Sequence, residues 1–138
     1  MVEKIADFML KNDKVAVWLN VKLIEIKKGY AKIEMTVRED MLNAAGVCQG
    51  GAIFSLADFA FALASNSYGK VALATNANIN FANPAFKGER LIAEATEMNR
   101  TRRTGLYRVE VRKENGQLVA LFTGQVFVKD REILTEES

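Results

Sequence analysis

The sequence predicts an α+β domain in which one long central helix is held by a mostly antiparallel sheet. Three observations lead there. Ala52 to Ala64 is an almost unbroken apolar run of good helix formers. Four later segments, Val71 to Phe81, Arg90 to Asn99, Gly105 to Lys113 and Gln117 to Val128, read as strands. The chain has 138 residues, 49% of them hydrophobic, with no internal repeat and no linker, so residues 1–138 are expected to share a single core.

Taken in order, Ile5, Phe8 and Met9 stand at helical spacing and predict a short amphipathic helix over about residues 3–11, broken by Asn12 and Asp13. From Val15 to Glu34 the period becomes two, with Val15, Val17, Leu19, Val21, Leu23 and Ile26 set against Lys22, Glu25 and Lys27. A turn at Lys28 and Gly29 then leads to Tyr30, Ile33, Met35 and Val37, so two antiparallel strands are expected. The stretch from Arg38 to Gln49 shows no clear period and ends in Gly50 and Gly51. The central helix follows and should end near Asn66 to Gly69, a length of about 25 Å at 1.5 Å per residue. A helix apolar on nearly all sides must be wrapped on nearly all sides, and the later strands supply the wrapping. Asn115 and Gly116 mark a hairpin turn between the last two strands. The acidic tail, about residues 130–138, is expected to fray.

Composition removes whole classes of chemistry. The chain has no histidine, which excludes imidazole-based triads, HExxH metalloproteases and every dyad with a histidine base. Its single cysteine, Cys48, makes neither an intrachain disulfide nor a zinc site of the usual Cys/His kind, and a reducing compartment fits. Any catalysis must rest on carboxylates, amides or hydroxyls. No run of about 18 uncharged apolar residues occurs, and Met1 to Leu10 carries Glu3, Lys4 and Asp7 where a signal peptide wants an unbroken apolar core. A cytoplasmic protein without a membrane span is expected. The net charge is +2; the last ten residues hold two bases against four acids, leaving 17 minus 13, or +4, on residues 1–128. That falls short of a nucleic-acid binder, and the aromatics read as core positions instead of a base-stacking platform.

Asp58 is the one charged residue between Asp40 and Lys70, and it sits inside the most apolar helix of the chain. Burying an unpaired carboxylate costs several kcal/mol or forces its protonation. Asp58 is therefore either a partnered carboxylate on a wet or interface edge, or a general base or nucleophile with raised proton affinity. Gly50 and Gly51 stand at the N-terminus of that helix, where backbone N–H groups lack partners and the dipole favours an oxyanion; the plainer reading is a turn that needs positive φ. No phosphate-loop pattern accompanies them. Gly50 and Asp58 lie eight positions apart, roughly 12 Å along one helix, whereas an oxyanion donor and a nucleophile must both lie about 3 Å from one reacting centre. If the two share a site, Asp58 must come from a second copy, as a two-fold dimer allows.

The stretch Met41-Leu42-Asn43, then Gly46 through Ala52, Leu56-Ala57-Asp58, Ala64 through Ser67, Ile79-Asn80-Phe81, Pro84-Ala85 and Gly88 resembles the hotdog-fold acyl-CoA thioesterases of the phenylacetic-acid-pathway type. Arg102-Arg103-Thr104 followed by Tyr107 through Val111 extends the resemblance, which covers about residues 15–128. It implies a long helix held by a curved antiparallel sheet and dimerised across the sheet edges, at least a homodimer and by likeness a homotetramer. It also implies hydrolysis of an acyl-CoA to the free acid and coenzyme A with no cofactor. By this likeness Asp58 is the catalytic carboxylate, acting across the subunit interface. Gly50 supplies the amide that polarises the thioester carbonyl, and Asn43 positions the water or the carboxylate. The family's common pattern has histidine before the two glycines, and this chain has Gln49 there; its amide can donate to a thioester oxygen but cannot act as an acid. The plainer role for Gln49 is a cap on the loop.

Gly51, Asn66, Arg102, Arg103 and Thr104 are candidate substrate or coenzyme A contacts, the guanidinium fork being shaped for phosphate. The bland reading of that arginine run is a solvated face. Lys87 and Arg90 are second choices. Cys48 reads as a small buried apolar residue, and Ser55, without an imidazole, as no nucleophile. The rival readings are a non-catalytic acyl-CoA-binding protein, in which Gln49 marks lost turnover, and a structural domain in which Asp58 serves dimer packing.

Overall fold

The computed structural model describes residues 1–135. Two helices, α1 (Val2–Asn12) and α2 (Lys14–Leu19), precede a hairpin of β1 (Lys22–Lys27) and β2 (Tyr30–Thr36). A short 3-10 turn (Glu39–Met41) and a loop lead to the central helix α3 (Gly50–Asn66). Then come β3 (Lys70–Phe81), β4 (Arg90–Arg100), β5 (Thr104–Lys113) and β6 (Leu118–Glu132). The strands form one six-stranded sheet in the order β1-β2-β4-β5-β6-β3, with every neighbouring pair antiparallel. The α+β architecture and the central helix follow the sequence expectation. Among the described residues no helix is long and apolar enough to cross a membrane.

The sheet curls around α3. Leu56, Ala57, Ala60, Phe61, Leu63 and Ala64 on the helix are 1% exposed or less, and Tyr107, Val109 and Phe122 meet them from the strands. The Phe61 ring packs edge-on against Tyr107 at 5.8 Å and tilts against Phe122 at 5.3 Å. Helix and sheet approach so closely at β6 that a Cβ on Gly124 would stand 2.7 Å from the Phe61 ring. Phe61 alone removes enough apolar surface from water to contribute roughly 1.5–3 kcal/mol.

Two expectations are corrected. Val15 to Leu19 is not a strand but α2. Asp13 caps it, its Oδ1 accepting the backbone N–H of Val15 at 3.1 Å and of Ala16 at 3.0 Å, and Asn20 ends it in the left-handed region at φ 56. The alternation of Val15, Val17 and Leu19 imitates a strand, yet the buried pair is Ala16 and Leu19, three apart as on a helix, while Val15 and Val17 face out. Nor does the acidic tail fray at Asp130. There β6 runs on to Glu132 because the acids have partners: Asp130 takes the Arg103 fork and Glu132 meets Lys70 at 2.8 Å, after which the Ile133 N–H donates to the Gly69 carbonyl. Residues 136–138 of the expected tail lie outside the described residues.

In the order of the sheet β3 stands at one edge, bonded to β6 alone, and Leu73 through Asn78 are exposed. This long unpaired edge runs on the same side of the chain as the start of α3, for Phe81 at its end covers Gly50.

Candidate active site

The N-terminus of α3 is set by the loop before it. Asn43 folds that loop back: its Oδ1 accepts the N–H groups of Ala45 at 2.9 Å and Val47 at 3.2 Å, and its own N–H donates to the Val47 carbonyl. The Cys48 N–H donates to Ala85 and the Gln49 N–H to Met41 at 2.7 Å, fixing the entry to the helix. Asn43 is exposed, and no hydrogen bond engages its Nδ2 among the described residues. The side chain singled out by sequence therefore shapes this loop with its oxygen and keeps its donor.

Gln49 takes the N-cap position with an extended backbone, φ −64 and ψ 140, and its side chain makes no cap bond, so the plain capping role is set aside. Its carbonyl accepts the N–H groups of Ala52 and Ile53. Those of Gly50 and Gly51, the first two of α3, have no partner among the described residues, and they carry the positive end of the helix dipole. Neither glycine has positive φ, contrary to the turn reading. Space explains both: a Cβ on Gly50 would lie 3.0 Å from Cζ of Phe81, and one on Gly51 would lie 2.9 Å from Oε1 of Gln49. The second contact places the Gln49 side-chain oxygen beside Gly51 at the start of α3.

Gly51, Ser55 and Asp58 succeed one another along one face of α3, and the Ser55 hydroxyl returns a bond to the Gly51 carbonyl at 2.9 Å. A pocket of about 350 Å³ opens over Gly51 and Ser55, walled by Trp18, Met41, Leu42 and Gln49. Beyond Ser55 a smaller cavity of about 150 Å³ holds Asp58 between Asp13, Val15 and Phe59. Asp58 is half-buried and has no ion pair or hydrogen bond among the described residues. Burial, and secondarily the charge of Asp13, raises its pKa above the usual carboxylate range. On the other flank of α3 an apolar pocket of about 320 Å³ lies over Gly50, between Val47, Ile53, Phe81 and Pro84. The single chain thus carries a half-buried carboxylate of raised pKa and a helix end with unbonded N–H groups on one helix, but not within reach of one atom.

The remaining candidates separate. Asn66 is buried with its amide spent: Nδ2 donates to the carbonyls of Ala62 and Ala72, and Oδ1 accepts the Ala72 N–H at 2.9 Å, tying the end of α3 to β3. Arg103 holds Asp130 with both fork nitrogens at 2.9 Å and also reaches the Val128 carbonyl. Thr104 closes a turn with Thr101. Arg102 is exposed and makes no hydrogen bond or ion pair among the described residues, while Arg100 stacks on Tyr68 at 3.9 Å. Lys87 pairs with Glu39, and Arg90 with Glu34 and Glu114. Burial pushes the Cys48 thiol up to about 11, which leaves it inert at neutral pH. Sequence reasoning missed Asp13 and Trp18 as site neighbours; an Asp one residue before a helix start was the available signal. Among the described residues no three Cys, Asp or Glu side chains gather as a metal centre would need.

A curled antiparallel sheet around one helix, with a carboxylate and free glycine amides on that helix, defines a hotdog-fold hydrolase, and comparison with known proteins agrees. Residues 45–120 match the thioesterase superfamily, and the chain belongs to it. It is an enzyme that hydrolyses thioesters. It is 41% identical over 120 residues to the acyl-coenzyme A thioesterase PaaI of Escherichia coli, covering 87% of this chain and 86% of that protein. The structure of the E. coli PaaI protein from the phenylacetic acid degradation operon superposes with a TM-score of 0.93 at 37% identity, over 95% of each chain. The smu.793 protein of Streptococcus mutans bound to acetyl CoA superposes with a TM-score of 0.79 at 28% identity, over 82% of this chain and 91% of that one.

Proposed function

We propose that the protein hydrolyses an acyl-CoA thioester to the free acid and coenzyme A in sites formed between two copies of the chain. The observation that carries this is the pairing of an unpartnered, half-buried carboxylate at Asp58 with unbonded N–H groups at Gly50 and Gly51 on one helix, too far apart to serve one carbonyl alone. A second copy paired along the free β3 edge brings its own α3 alongside, so that Asp58 of one protomer faces Gly50 of the other.

In this arrangement Asp58 takes a proton from water as the oxygen adds to the thioester carbon, or itself adds to that carbon. The carbonyl electrons move onto oxygen, where the Gly50 N–H and the helix dipole hold the negative charge. Collapse breaks the C–S bond; in the base route the departing thiolate takes up the proton that Asp58 holds, and in the nucleophile route water then hydrolyses the acyl-aspartyl anhydride, releasing the free acid, restoring the Asp58 carboxylate and supplying the thiolate's proton. A raised proton affinity suits the base role. The Asn43 Nδ2 and the Gln49 amide are free to orient water and carbonyl, and Gly51 allows Gln49 that position. Within the run Arg100, Arg102 and Arg103, Arg102 is the one without a hydrogen bond or ion pair among the described residues, which suits it to coenzyme A phosphate. The likeness to PaaI and to a fold neighbour bound to acetyl CoA supports the acyl-CoA class, and the family resemblance of the sequence is the ground on which we read the assembly as a dimer of dimers. The chemistry calls for no resident cofactor.

The test is release of free thiol from a panel of acyl-CoAs by the wild type and by Asp58→Asn. Turnover that falls by roughly 10² to 10⁴ in the variant supports the reading. Thermal stabilisation by acyl-CoA with no turnover in either form identifies a binding protein instead.

A further inference from the structure

Asp58 shares its cavity with a second carboxylate. Asp13 lines the same space of about 150 Å³, together with Val15, Ala16 and Phe59, and its position is fixed, because Oδ1 accepts the N–H groups of Val15 and Ala16 in the first turn of α2. Neither carboxylate has a cationic partner among the described residues. Helix α3 bears no ionisable side chain besides Asp58. Of the groups on α1, α2 and the strands packed against it, Asp13 is the one whose charge acts on Asp58.

We propose that Asp13 is a positioning residue for Asp58: as the cap of α2 it holds one wall of the cavity and sets a fixed negative charge facing the catalytic carboxylate. A capping Asp and a capping Asn, Ser or Thr are nearly equivalent for the helix, so the cap alone does not require a charge. Against Asp58 the charge has a consequence no neutral cap supplies. A like charge across a small cavity favours the protonated partner and makes the carboxylate a stronger base, at the cost of activity lost earlier on acidification. The acid limb of turnover is therefore set from α2, outside the central helix.

This rests on the thioesterase reading, and its test carries one readout that does not. Asp13→Asn keeps the cap and removes the charge; Asp13→Ala removes both. The carboxyl carbon of Asp58 is followed by NMR as pH is varied, and kcat/KM for one accepted acyl-CoA is measured over the same range. In Asp13→Asn both the Asp58 midpoint and the acid limb are expected at lower pH than in the wild type, with the fold retained by circular dichroism. Asp13→Ala is expected to melt lower, with the same displacement of the Asp58 midpoint. If the midpoint moves but no acyl-CoA is turned over by the wild type, the effect of Asp13 on Asp58 stands and the thioesterase reading fails. If Asp13→Asn titrates like the wild type, Asp13 is a helix cap and the proposal is overturned.

Discussion

Phe81 lies over Gly50 so closely that a Cβ there would meet the ring at 3.0 Å, while the Gly50 N–H has no partner among the described residues. Gly50 thus offers two features, a close approach to the ring and an unbonded amide. Gly50→Pro separates the two: Gly50 is the first helical residue, where proline is favoured, and Gln49 before it already has the extended backbone that a following proline demands. Phe81 is half-exposed and has room to move. Steady-state kinetics of Gly50→Pro should show kcat lowered by about 10² to 10³, the scale of one lost oxyanion donor, with the fold retained by circular dichroism.

Asp58→Asn should melt at a higher temperature than the wild type at neutral pH. The pKa of Asp58 is raised by folding, so its ionised form weighs against the folded state above that pKa. As pH falls below the usual carboxylate range Asp58 is protonated in both states and the penalty vanishes. The difference in melting temperature should therefore close on acidification, measured by calorimetry across the range. A variant less stable at neutral pH would mean that the carboxylate has a structural partner.

Gln49 caps nothing, so Gln49→Ala should leave the melting temperature in place. A fall in kcat with an unchanged melting point locates its amide in the reaction. Gln49→Glu, which removes the donor and adds a negative charge beside the developing oxyanion, should lose more activity than Gln49→Ala in the same thiol-release assay.

Asn66 and Arg102 should behave oppositely. Asn66→Ala leaves the buried N–H and carbonyl of Ala72 without partners and should cost about 1–3 kcal/mol in chemical denaturation, with KM little changed. Arg102→Ala should leave stability alone and raise KM, most visibly at low salt, because an exposed phosphate contact is screened by ions.

The strands from β3 to β6 and the central helix were legible in the sequence because their periods are long and unambiguous. The stretch from Val15 to Leu19 was not: valines at every second position satisfy a strand template, and the side chain that decides for helix is Asp13, a cap whose effect is local and polar. The tail misled because charge was read without partners; Arg103 and Lys70 are far from Asp130 and Glu132 in sequence and adjacent only across the sheet. For the same reason the intrachain partners of Arg103 and Asn66 were not legible in the sequence. Asp58, Gly50 and Gly51 stood out because each breaks a local rule, a charge in an apolar helix and glycines at its start. Asp13 and Trp18 reach the site through α2, so they were invisible for as long as α2 was.

The central claim is that each site takes Asp58 from one protomer and Gly50 from the other, and subunit complementation tests it most directly. Asp58→Asn and Gly50→Pro protomers, each inactive as homodimers, are unfolded together in equal amounts and refolded. In a shared site roughly half the dimers are mixed and each mixed dimer has one intact site, so about a quarter of wild-type turnover should return. A mixture no more active than its two parents, with mixed dimers verified by mass spectrometry, would contradict the account.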